Sequence, residues 1–115
     1  LLGGDFNIAP ADRDVYDPEG WRDSVICHTA ARKGLEKLFE FGLFDSLRQV
    51  EPTAQVYTYW DYRMLAFPKN LGLRIDHILC TAPLLARCQA VRVDRAARKG
   101  EKPSDHAPLL LTLSR

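Results

Sequence analysis

The chain has 115 residues, of which 46% are hydrophobic and 27% charged, with a formal net charge of +1. That balance excludes a disordered segment, and no apolar run approaches the roughly 20 residues with which a helix crosses a bilayer. Net charge alone gives no reason to expect nucleic acid, but the distribution is polarised: residues 1–45 carry five basic and nine acidic side chains, residues 46–115 eleven and six.

The chain opens on an apolar strand that runs through Gly3-Gly4 into Asp5-Phe6-Asn7. Side chains alternate along a strand, so Asp5 and Asn7 share a face and offer a carboxylate and an amide to one spot. The same residues also satisfy an Asx turn, in which they bind only local backbone donors. Residues 8–28 are rich in Asp, Pro and Gly and read as a long surface excursion anchored by Val15, Tyr16 and Trp21. Loops of that length are uncommon unless they carry function. Thr29 is placed to cap a helix whose Leu35, Leu38 and Phe39 recur at helical spacing, and Gly42 is placed to end it. Strand-like runs follow at 43–48, 55–60, 73–81, 89–94 and 107–113, with a short helix starting at Pro83. The sum is one α/β domain without repeats or linkers.

Several residues stand out against this background. Asp76 sits in the middle of the apolar run Leu73-Arg74-Ile75-Asp76-His77-Ile78, where an unpaired charge costs several kcal/mol, so it needs a fixed partner. Arg74 and His106 are the two candidates. Near the end, Asp105-His106 is bracketed by Pro103 and Pro108, which stiffen the backbone around an acid and an imidazole able to share a metal or a phosphate. Just ahead of it, Arg87, Arg92, Arg95, Arg98, Lys99 and Lys102 oppose only Asp94 and Glu101. Such a stretch is either a solvated face or a contact for backbone phosphates. In the aromatic run Tyr57-Thr58-Tyr59-Trp60, Tyr57 and Trp60 fit half-buried strand packing, whereas Tyr59 is less easily assigned to packing alone. Cys27, Cys80 and Cys88 are odd in number and lack disulfide or metal spacing, which points to reduced thiols and a cytoplasmic setting.

Taken in order, Gly3-Gly4-Asp5-Phe6-Asn7, Gly42-Leu43-Phe44-Asp45-Ser46-Leu47-Arg48, Tyr57-Thr58-Tyr59-Trp60-Asp61-Tyr62-Arg63, Gly72-Leu73-Arg74-Ile75-Asp76-His77 and Glu101-Lys102-Pro103-Ser104-Asp105-His106-Ala107-Pro108 resemble the successive motifs of exodeoxyribonuclease III, in the endonuclease/exonuclease/phosphatase superfamily. The resemblance implies that residues 1–115 are the carboxyl-terminal half of a four-layer α/β sandwich, two packed and mainly antiparallel sheets flanked by helices. It implies metal-dependent phosphodiester hydrolysis in DNA repair, as a 3′-5′ exodeoxyribonuclease and abasic-site endonuclease, with Mg²⁺ or Mn²⁺ as cofactor. By the same resemblance Asp5 orients or deprotonates the attacking water, Asn7 steadies it, Asp76 orients His106, and His106 contacts the scissile phosphate. Asp5, Asn7, Asp105 and His106 form the metal set, and Tyr59, Leu73 and Ile75 line a pocket for a base-free sugar.

The implied substrate is double-stranded DNA with abasic sites or 3′ ends, with no membrane and no protein partner beyond the missing half. That half would bring an asparagine, a metal-binding glutamate and a catalytic tyrosine, so the fragment alone is expected to be incomplete. A nucleic-acid-binding module without turnover is the competing expectation. A related phosphodiesterase with a lipid or sugar-phosphate substrate is another, because Gly-Asp-x-Asn and Ser-Asp-His are shared more widely than the DNA-specific flanks.

Overall fold

A computed structural model describes residues 1–115. Its centre is a three-stranded antiparallel sheet in the order β1 (Leu2–Asp5), β5 (Asp76–Thr81), β2 (Leu43–Asp45). The β1–β5 register sets Asp5 directly across from Asp76, which places two of the singled-out carboxylates at one end of the sheet before any loop is considered. Two further antiparallel pairs complete the strands: β3 (Tyr59–Trp60) with β4 (Gly72–Leu73), and β6 (Cys88–Val93) with β7 (Leu109–Leu113). Helices α1 (Pro18–Trp21), α2 (Thr29–Phe41), α3 (Ser46–Val50) and α4 (Ala82–Leu85) flank them. The chain is thus α/β, as its pattern implies, with antiparallel sheets, as the resemblance implies.

Helix α2 buries Leu35 and half-buries Leu38 and Phe39, the residues whose spacing predicts it. Its cap differs from the expected Thr29: the His28 ring Nδ1 accepts the Ala30 N–H at 3.1 Å, and Thr29 is already the first helical residue. Gly42, at φ 116°, supplies the left-handed turn that ends the helix. Strand β2 is shorter than the predicted 43–48, because the Asp45 carboxylate caps the Arg48 N–H and starts α3 at Ser46. The run at 55–60 pairs as a ladder only over Tyr59–Trp60, opposite Leu73 and Gly72. Residues 73–81 do not form one strand either. The Arg74 N–H turns to Asp14 O at 2.8 Å and the Ile75 N–H to Thr58 Oγ1 at 3.1 Å, so β4 and β5 separate between them.

The excursion at 8–28 folds back onto the core. Val15 joins Ala9, Cys27, Leu73 and Ile75 in one buried cluster, with Tyr16 and Trp21 packed against it. A second cluster, Tyr57, Trp60, Ala66 and Ala107, lies under the aromatic segment.

Between α3, β5 and the excursion lies a buried ion network that the sequence reading misses. Arg74 is 1% exposed; its Nε donates to Asp14 Oδ1 at 2.7 Å and its Nη2 to Asp45 Oδ2 at 2.8 Å. Arg48 Nη2 adds a 2.7 Å bond to the same Asp14 oxygen. Burial opposes ionisation of Asp45, but Arg74's hydrogen bonds and charge outweigh it and hold the carboxyl below its ordinary value. Burial, with the nearby Arg74 charge, pushes His77 the other way, below the usual imidazole value. His77 Nε2 lies 2.7 Å from Ile8 O, and Arg74 Nη1 lies 3.3 Å from its Nδ1, an arrangement that fits a neutral ring donating from Nε2.

Candidate active site

Three elements converge at the end of the central sheet. β1 brings Asp5, β5 brings Asp76, and the loop before β7 brings His106. His106 Nδ1 lies 2.8 Å from Asp76 Oδ2, which fixes the ring and leaves Nε2 pointing at Asp5 Oδ2, 3.7 Å away, and Asp105 Oδ1, 3.9 Å away. One donor atom each from Asp5, Asp76 and His106 lies within 4.8 Å of the other two. His106 keeps 29% of its side chain exposed and lines a cleft of about 610 Å³ with Gly4, Asp5, Asp76, Ser104 and Pro108.

The Asp76 partner is therefore His106 and not Arg74, which is spent on Asp14 and Asp45. Asn7 is exposed, and its N–H donates to Asp5 Oδ1 at 2.9 Å, the Asx-turn bond weighed in the sequence. Its φ of 52° puts it in the left-handed region that asparagine tolerates better than most residues. Tyr59 is half-buried, its ring edge-on to the His106 ring with centroids 5.3 Å apart. Burial, and then the charges of Asp61 and Asp105, raise the Tyr59 phenol above its ordinary value. Leu73 and Ile75, 1% and 2% exposed, lie in the core rather than on the cleft wall.

The basic stretch is not a uniform face. Arg87 binds Ser114 O through Nε and Nη2, Arg95 stacks over Trp60 and Phe67, and Arg98 is buried. All but Arg98 are exposed, and Arg92, Lys99 and Lys102 take no part in these contacts.

A family model described as the Endonuclease/Exonuclease/phosphatase family matches residues 1–106. The chain belongs to that family. Exodeoxyribonuclease III of Haemophilus influenzae is 40% identical over 116 residues, covering 95% of this chain and 43% of its own length. The 3′ phosphatase NExo from Neisseria, solved with a product DNA hairpin, is 48% identical with a TM-score of 0.95, covering 99% of this chain and 44% of that one. An AP endonuclease from Archaeoglobus fulgidus is 40% identical with a TM-score of 0.94, covering 98% and 44%. The chain thus spans less than half the length of these family relatives.

Two contributors to the site escape sequence reading. Thr58 is fully buried, and its Oγ1 accepts the N–H groups of both Ile75 and Asp76, at 3.1 and 3.2 Å, fixing the backbone that carries the Asp76 carboxylate. Only its place in an aromatic strand marks it. Ser104 Oγ accepts the His106 N–H at 3.1 Å, a local turn that the Ser-x-His spacing permits.

Proposed function

We propose that this chain supplies part of the active site of a metal-dependent nuclease acting on duplex DNA in repair, with 3′-5′ exodeoxyribonuclease and abasic-site endonuclease activity. It serves there as the carboxyl-terminal half of a larger domain, in the cytoplasm. The observation that carries the reading is the grouping of Asp5, Asp76 and His106 within 4.8 Å, opening on a cleft. The matched relatives named for exodeoxyribonuclease, 3′ phosphatase and AP endonuclease activity point to the same class of reaction.

The donor set fits a hard cation. Asp5, Asp76 and Asp105 all lie within 4 Å of one imidazole, so even a protonated His106 leaves net negative charge at the cluster. Carboxylate oxygens are ligands suited to Mg²⁺, or to Mn²⁺ in its place. Asp5, with Asn7, Asp105 and His106 beside it, would hold the ion. When bound, it supplies positive charge to phosphate oxygens as negative charge builds on them in the transition state.

This chain's own residues do the rest. Asp5 orients the attacking water and takes its proton, while Asn7 steadies that water or a nonbridging oxygen. Asp76 fixes the His106 ring through Nδ1, so that Nε2 faces the scissile phosphate. Tyr59 offers its ring to a base-free sugar, and Leu73 and Ile75 support that ring from the core. An abasic nucleotide suits such a pocket, since little stacking is lost when it leaves the duplex.

The test is cleavage of a duplex with one abasic site by the full-length protein, with Mg²⁺ and with excess chelator. Incision that requires the metal supports the reading. Duplex binding without incision would instead favour a nucleic-acid-binding module.

A further inference from the structure

We propose that Arg98 is a positioning residue, which sets the Asp105-His106 loop against β3 by tying the carbonyl of Ser104 to that of Trp60. Arg98 closes a 3-10 turn (Arg95–Arg98) and is only 7% exposed. None of the ion pairs in the structure includes it. A buried cation without a carboxylate is costly, and its surroundings define what offsets the cost. Nη1 donates to Ser104 O at 3.0 Å and Nη2 to Trp60 O at 3.1 Å. The guanidinium carbon also lies 5.0 Å from the centre of the Phe67 ring and 5.4 Å from that of Tyr62. Its Nε has no acceptor, so the fork's two hydrogen bonds both go to main-chain carbonyls.

Those two carbonyls are 44 residues apart and belong to the two segments that must stay in register. Ser104 directly precedes Asp105, and Trp60 directly follows Tyr59, whose ring meets His106. The loop draws no support from regular secondary structure. Residues 99–105 form neither helix nor strand, and Lys102 sits at φ 47°, a left-handed conformation that a lysine seldom adopts. The loop is held from outside: by Arg98, by the Trp60 N–H donating to Asp105 O at 3.0 Å, and by the Tyr62 hydroxyl donating to Pro103 O at 2.8 Å. Among these only Arg98 grips strand and loop with one rigid planar group. A lysine keeps the charge but cannot reach both carbonyls in that plane.

The experiment compares the full-length protein with Arg98→Lys, His106→Ala and the double variant. In the wild-type background Arg98→Lys lowers kcat for abasic-site cleavage by about 10- to 100-fold, the range for a displaced reacting group, with KM nearly unchanged. In the His106→Ala background the further loss is several-fold smaller, because the ring is no longer there to misplace and only Asp105 remains on the loop. An undiminished loss in that background would reduce Arg98 to a general structural residue and overturn the proposal.

The kinetic arm rests on the nuclease reading, so a second arm does not. By ¹⁵N NMR of the wild-type protein the Arg98 Nη protons give separate, slowly exchanging signals, and Arg98→Lys shifts the His106 ring resonances. A single averaged Nη signal overturns the proposal even where the variant fails to fold, and a nuclease without activity leaves this arm intact.

Discussion

His106 and Asp76 face each other across a 2.8 Å contact between Nδ1 and Oδ2, although 30 residues separate them in the chain. The β1–β5 register sets Asp5 opposite Asp76, and the loop before β7, bridged to Tyr59, lays His106 over both. It makes Asp76 the residue through which the central sheet controls the imidazole.

Replacing Asp76 with asparagine keeps the volume but removes the charge that holds the ring. Cleavage is expected to fall about 10- to 100-fold, the usual effect of losing a carboxylate that orients a working histidine. The thermal midpoint should stay near that of the wild type, since Asp76 is at the cleft and not in the core. Steady-state rates and a melting curve on the same preparation check both halves.

Tyr59→Ala should weaken cleavage at an abasic site more than it weakens binding to an intact duplex. The ring stands beside His106, where it can touch the sugar but has no reason to grip distant phosphates. Equal losses in the two assays would remove Tyr59 from the sugar pocket.

The Asp14-Arg74-Asp45 network governs stability rather than chemistry. Arg74→Met strips the cation from two buried carboxylates and is expected to cost about 3–5 kcal/mol, the range for breaking a buried pair from one side. Urea unfolding measures it; a loss below about 1 kcal/mol would mean that water enters and screens the pair.

Two buried groups contribute to the acid side of the stability curve. His77 has its folded pKa held below 6.5 by burial and by the Arg74 charge, so the unfolded chain takes up a proton that the folded chain refuses. Stability therefore falls as pH drops below 6.5. Asp45 has its folded pKa below 3.8, so its contribution is present above that value and is lost as pH falls further. Urea midpoints measured across this range should show both declines, and His77→Gln should flatten the first.

Much of this site was readable in the sequence, and the reason is physical. Asp5, Asp76 and the Asp105-His106 pair are polar groups at places where apolar pattern or proline bracketing makes them conspicuous. The end of an apolar strand marked Asp5, although the face it was expected to share with Asn7 gives way to an Asx turn, and the cost of a charge in an apolar run demanded a partner for Asp76. The choice between His106 and Arg74 was not readable, because it depends on Asp14 folding back from the excursion to claim the arginine. Arg98 was hidden for a related reason: in a run of six basic residues nothing local separates the one that is buried from those in solvent. Element boundaries slipped where a side chain took over a backbone bond, as Asp45 does at the start of α3 and Thr58 does between β4 and β5.

The account depends most on Asp5 acting at the reacting centre, and Asp5→Asn in the full-length protein tests it most directly. Turnover on an abasic-site duplex with Mg²⁺ should be lost while duplex affinity stays close to that of the wild type. Near-normal turnover in this variant would contradict the account.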